Sequence, residues 1–130
     1  MEKLEKRIKR FLQERGWNHL RPSDLAKSIM IEGAELLELF QWENLELEKV
    51  RRSKELVDEV KKELADVLIY AIQMAVLLDI DTAGTVNRKL DYVEKKYPAE
   101  LMRKNAKKGS GSGRDAEYWR IKKKKKKKGP

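Results

Sequence analysis

Two short acidic motifs carry the residues of this chain best suited to chemistry: Glu32-Gly33-Ala34-Glu35 and Glu63-Leu64-Ala65-Asp66. In each motif the carboxylates are three residues apart, so on a helix each pair shares one side. Their surroundings give them significance. Leu25, Ile29, Leu36 and Leu39 form the apolar stripe of one predicted helix, with Glu32 inside it and Glu35 at its edge. In a second helix the stripe runs Leu56, Val60, Val67, Ala71, Met74 and Leu78, with Glu63 inside and Asp66 at the edge. A carboxylate on a core-facing stripe loses hydration and has to be paired or bind a metal. Four on facing sides of two helices repel one another unless a cation lies between them. Hard oxygen donors of this kind suit Mg²⁺, with Mn²⁺ as a substitute.

The elements that must position these acids are helical throughout. A first helix is predicted over residues 2–15, with Leu4, Ile8, Phe11 and Leu12 on one stripe and Gly16 as its stop. After the linker that carries Trp17 and His19, Pro22 and Ser23 open a second helix to about Phe40, with Ser23 as N-cap. Ser53 caps a third, reaching about Leu78. Asp81 caps a fourth, from Thr82 to about Lys96, which Tyr97-Pro98 stops. Beyond Ala65 the third helix is apolar nearly all round, with Ile69, Ile72 and Val76 opposite its main stripe. Met30, Ala34 and Leu37 lie behind the stripe of the second. Faces of this kind need covering on both sides, which four helices of one short chain hardly supply. The expectation is an all-α, four-helix-bundle-like fold completed by oligomerisation, as a homodimer or homotetramer.

Composition narrows the function classes. With 130 residues the chain fits one domain. It has no cysteine, which excludes disulfides, thiolate metal sites and a cysteine nucleophile. A single histidine, His19, excludes a ferritin-like di-iron site, which takes Glu-x-x-His from two helices. No apolar run approaches the ~18 residues of a membrane span, and the N-terminus has no signal-peptide core, so a soluble cytoplasmic protein is expected. No Gly-rich phosphate loop is present, so a triphosphate would be bound through metal and cationic side chains.

The stretches SIMIEGAELLELFQW, KKELADVLIYAIQMA and KLDYVEKKYP together resemble the MazG-like all-α nucleoside triphosphate pyrophosphohydrolases, in the small single-domain branch that includes dCTP pyrophosphatases. The resemblance spans about residues 17–98 in order and spacing. It implies Mg²⁺-dependent hydrolysis of a nucleoside triphosphate between the α and β phosphates, giving monophosphate and pyrophosphate. By the same resemblance Glu32, Glu35, Glu63 and Asp66 are the metal-binding and catalytic acids, and one of them, or Glu38 nearby, takes a proton from the attacking water. Trp42 of the FQW segment and Tyr70 of DVLIY are candidates to line the base and sugar pocket. Lys96 and Tyr97 belong to the K-Y-P segment, where a cation near the phosphates fits, and His19 is a candidate to sit over a bound base. One position departs from the pattern: Val93 stands where the family usually carries an asparagine, which implies altered sugar or phosphate recognition.

The formal charge of +9 is a property of one end. Residues 109–130 carry +7 and the remaining 108 only +2. The expected division is therefore a domain over 1–108 and a basic tail over 109–130. Gly and Ser at 109–113 read as a flexible linker, Tyr118, Trp119 and Ile121 as a short sticky segment, and the lysine run 122–128 as a stretch without folded structure. Such a tail admits an alternative role, salt-dependent binding to nucleic acid or an anionic surface. A non-catalytic helical oligomer is the third reading, with Val93 in its favour.

Overall fold

Helices make up every regular element of the computed structural model, which describes residues 1–106 and 116–127. Helix α1 (Glu2–Glu14) ends where Gly16 takes a φ of 68°, a left-handed turn that glycine adopts without steric cost. The Trp17 N–H then donates to the Leu12 carbonyl at 2.8 Å, closing the turn. Helix α2 (Pro22–Glu38) starts two residues earlier than predicted, with Arg21 at the N-cap and no side-chain cap. Ser23 is therefore inside the helix and not its cap. Proline supplies a preset φ and needs no N–H partner, so it takes the first turn itself.

A short helix, α3 (Leu47–Arg52), interrupts what the sequence offered only as a charged connection. Six residues are too few to show a 3.6-residue apolar period. Helix α4 (Lys54–Leu77) begins as expected: the Ser53 hydroxyl oxygen accepts from the Leu56 N–H at 3.2 Å. Helix α5 (Thr82–Lys96) matches its predicted span and directly follows Asp81. Helices α6 (Ala99–Ala106) and α7 (Ala116–Lys127) complete the order.

The chain divides into two compact units, Met1–Thr82 and Ala83–Pro130. In the first, α4 is the central rod, and α1, α2 and α3 all pack on it. Ile8 and Leu12 of α1 meet Ile72 of α4, with Phe11, Val76 and Leu77 around them. Leu12 is fully enclosed, and Leu25 of α2 and Ala75 of α4 are also buried. Thus α1 covers Ile72 and Val76, part of the apolar back of α4. Apolar surface remains on α2, where Met30 is 73% and Leu37 64% exposed.

In the second unit α6 packs with α7. Tyr118 stacks on Tyr97, centroids 5.0 Å apart and planes 19° from parallel, and meets Trp119 edge-on. The Lys122 ammonium lies 5.8 Å from the Tyr118 ring and 5.3 Å from that of Trp119. The expectation that the lysine run forms no structure is corrected here, because the backbone of Lys122–Lys127 is helical. Lysine has good helix propensity, and the aromatic anchor at Tyr118 supplies the nucleus the run itself lacks. The predicted Gly/Ser linker and Lys128 lie outside the described residues.

Candidate metal centre and adjoining pocket

Helices α2 and α4 meet in an antiparallel seam. Glu32 and Glu35 meet Glu63 and Asp66, while Asp24, Leu25 and Ser28 share a pocket with Ile69, Tyr70 and Gln73. Rising numbers on one helix meet falling numbers on the other. Each helix turns one stripe to the seam, its members three or four residues apart save for the adjacent Ile69 and Tyr70: Leu25, Ser28, Glu32 and Glu35 on α2, then Asp66, Ile69, Tyr70 and Gln73 on α4.

One end of the seam is acidic. One carboxylate oxygen from each of Glu32, Glu35, Glu63 and Asp66 lies within 4.8 Å of all the others. Oε2 of Glu32 and Oε2 of Glu63 are sealed from solvent and have no hydrogen-bond partner among the described residues. These two glutamates are the pair the apolar stripes placed on the buried side. Buried carboxylate oxygens are normally partnered. Among the described residues no lysine, arginine or histidine pairs with any of the four.

The crowding registers in the acidities. A side-chain hydrogen bond with Glu35 raises the Glu32 pKa above the usual carboxylate range, and lost hydration and the charges of Glu35, Asp66 and Glu63 add to it. For Glu63, lost hydration comes first, followed by hydrogen bonding to Glu35 and the charges of Glu35, Asp66 and Glu38. Glu38, the last residue of α2, therefore lies close enough to act on the cluster. Two orphaned buried oxygens, four convergent hard donors and no protein cation together fit a divalent metal ion.

The other end of the seam is a pocket of about 370 Å³. Phe11 of α1, Trp17 and Leu20 of the following loop, and Ile69 and Tyr70 of α4 give it flat apolar walls. Asp66 lines it as well, so cluster and pocket are continuous. The edges of Phe11 and Trp17 meet at 69°, centroids 5.8 Å apart. Polar groups are few: Asp24, Ser28, Gln73 and the Tyr70 hydroxyl.

Of the residues singled out in the sequence, the structure brings the four acids, Glu38 and Tyr70 to this seam. His19 is exposed beside Asn18, with Nδ2 of Asn18 3.4 Å from Nε2 of His19, between two pocket residues, Trp17 and Leu20. Trp42 follows α2 and is 87% exposed. Lys96 and Tyr97 belong to the second unit, with the Lys96 ammonium 5.1 Å from the Tyr97 ring centre. The sequence reading missed Phe11, Trp17, Leu20 and Gln73 as pocket residues. A signal for the last was available: between Val67 and Leu78 only Tyr70 and Gln73 are polar, and both share a face with Asp66.

Comparison with known proteins gives the chain its relatives. The sequence profile of the MazG-like family matches residues 27–111, which include all four acids. Human dCTP pyrophosphatase 1 is 32% identical over 110 residues, covering 83% of this chain and 65% of the human protein. The rat protein of the same name is 31% identical over 109 residues, covering 82% and 64%. The chain thus spans a little under two thirds of these curated relatives. A crystal structure of a pyrophosphatase from Archaeoglobus fulgidus superposes with a TM-score of 0.66 at 40% identity, covering 75% of this chain and 92% of that one.

Proposed function

The chain belongs to the MazG-like family, and from that premise we propose that it is a nucleoside triphosphate pyrophosphohydrolase, cutting between the α and β phosphates to release a monophosphate and pyrophosphate. The observation that carries this reading is the convergence of four carboxylates, two of them with orphaned buried oxygens and one, that of Asp66, also lining an aromatic-walled pocket. Relatives named as dCTP pyrophosphatases and a structurally similar pyrophosphatase support it.

Glu32, Glu35, Glu63 and Asp66 would hold Mg²⁺, with Mn²⁺ as a substitute. When bound, the ion supplies charge neutralisation for the triphosphate and acidifies a coordinated water. Phe11, Trp17 and Tyr70 enclose the base and keep water from it. Asp66, shared by cluster and pocket, sets the phosphate end of the substrate against the acids. A carboxylate, either in the cluster or that of Glu38, takes the proton as water oxygen bonds to the α phosphorus and the bridging oxygen leaves with pyrophosphate. His19 and Trp42 are proposed to close over the base from the loops that carry them. Lys96 and Tyr97 are proposed as substrate-binding residues on their K-Y-P match alone.

The functional domain is taken as 1–108. Exposed Met30 and Leu37 on α2 and Leu68 on α4 support a homodimer or homotetramer, which sedimentation velocity would resolve from monomer. No helix among the described residues is long and apolar enough to cross a membrane.

Product analysis on nucleoside triphosphates, with Mg²⁺ and with chelator, tests the activity directly. Metal-dependent monophosphate plus pyrophosphate is the expected result. Diphosphate plus phosphate would refute the α–β cleavage.

A further inference from the structure

One polar side chain in the apolar half of α4 has no role in the cluster. Gln73 is only 4% exposed yet lines the pocket. No group among the described residues hydrogen-bonds to its carboxamide. Its nitrogen and oxygen are also absent from the sealed, unpartnered atoms, so the small exposure it retains is at the carboxamide and faces the pocket. A buried amide without a partner is destabilising. A leucine would fill the same volume without that cost.

We propose that Gln73 is a specificity-determining residue that reads the hydrogen-bonding edge of the nucleobase; the inference rests on the pyrophosphohydrolase reading above. Position supports it. Gln73 is seven residues beyond Asp66 on one unbroken helix, which is about 10.5 Å of rise, two turns from the acids, and both residues line the same pocket. A nucleotide with its phosphates at the acids extends its base in that direction, between the flat side chains of Phe11, Trp17 and Tyr70. Chemistry supports it too. A carboxamide presents one donor and one acceptor side by side. That pair complements an edge with an amino group beside a ring nitrogen, such as N4–H₂ and N3 of cytosine. The carboxamide oxygen accepts from the amino group and the carboxamide N–H donates to the ring nitrogen. A base edge that fails to complete the pair leaves the buried amide unsatisfied and is rejected.

The test compares wild type with Gln73→Leu and the near-isosteric Gln73→Glu. Binding of dCMP and dTMP is read without metal from quenching of tryptophan fluorescence, to which Trp17 contributes from the pocket wall. Turnover is read on dCTP, dTTP and deoxyribose triphosphate lacking a base. In Gln73→Leu, dCMP affinity is expected to fall about ten- to a hundredfold and its advantage over dTMP to collapse, with KM rising for dCTP. Turnover of the baseless triphosphate, which presents no base edge to Gln73, is expected to fall much less than that of dCTP. Gln73→Glu keeps the shape but loses the N–H donors, so it also weakens dCMP and shifts the ranking even if the leucine variant folds poorly. Wild-type affinity and ranking in either variant, with a wild-type melting curve, would overturn the role of Gln73 while leaving the activity standing. A wild-type protein that cleaves no triphosphate, the baseless one included, would overturn the activity and this inference with it.

Discussion

Two regions of this molecule concentrate charge of one sign, and they differ in direction. Along α2 and α4, four acids drawn from two helices point inward to a space 4.8 Å across. Along α7, consecutive lysines follow one helix, and Lys122, Lys123 and Lys124 are exposed. Exposed like charges are relieved by water and salt. Converging charges with sealed oxygens are relieved only by a cation that enters the space or by a proton. The acidic run in the sequence is shorter than the basic one, yet it builds the more demanding site. Tertiary convergence, and not the length of a charge run, distinguishes a candidate centre from a solvated face.

The largest expected effect breaks the comparison at its root. Glu63→Gln or Glu32→Gln should lower kcat/KM by about a thousandfold or more, since several kcal/mol of transition-state charge stabilisation depend on the held metal. Removal of residues 122–130 should leave kcat/KM unchanged. A steady-state assay of both variants decides it. Equal losses would mean that the two charged regions act together.

Metal removal gives the next effect. A divalent ion at about a hundred times its Kd should stabilise the protein by about 2.7 kcal/mol, or a rise in Tm of about ten degrees or more for a unit of this size. Calorimetry with and without chelator measures it, and the rise should vanish in Glu32→Gln. Monovalent salt at matched ionic strength should not reproduce it.

The acidities of Glu32 and Glu63 set a pH dependence of known sign. Both carboxyls are held above the ordinary glutamate value in the fold. Between the ordinary and the raised values the folded chain holds more protons than the unfolded one, so stability falls as pH rises through that window. Metal-free Tm should therefore increase on mild acidification and decline toward neutral pH. Glu63→Gln, which removes one repelling charge, should flatten the slope and raise metal-free Tm at neutral pH. A wild-type slope in that variant would place the repulsion elsewhere.

The smallest effect concerns α7. Tyr118→Ala, which removes the stack on Tyr97, should cost about 0.5–1.5 kcal/mol beyond its buried area. Hydrogen exchange should quicken at residues 118–124 and stay unchanged at 63–66. Added salt should slow exchange in α7 by screening the lysines. No response to salt would show that lysine repulsion does not limit the helix.

Much of this arrangement is legible without coordinates, for local reasons. Ser53 announces α4 because a hydroxyl three residues before a free N–H is a local device. The span of α5 follows from Asp81 before it and Tyr97-Pro98 after it. The acid pairs stand out because an i, i+3 spacing within an apolar stripe is itself a local pattern. What escaped depends on distant partners. Helix α7 forms where a lysine run alone would not, with Tyr118 anchored on Tyr97. The pocket draws walls from α1, a loop and α4, and no window of sequence contains all three. In sequence Gln73 is one of two polar residues between Val67 and Leu78. Only the walls around it give its isolation a meaning.

Helix α4 runs unbroken for 24 residues from Lys54 to Leu77, carrying Glu63, Asp66, Tyr70 and Gln73 on one piece of backbone. No hinge lies between the acids and the amide, so their separation is fixed by helical pitch and not by the closure of a loop. The rod is in effect a measuring stick. Ligands whose phosphate-to-base span is too short or too long would miss one of its marks, and the fold would sort them by length before any hydrogen bond is read.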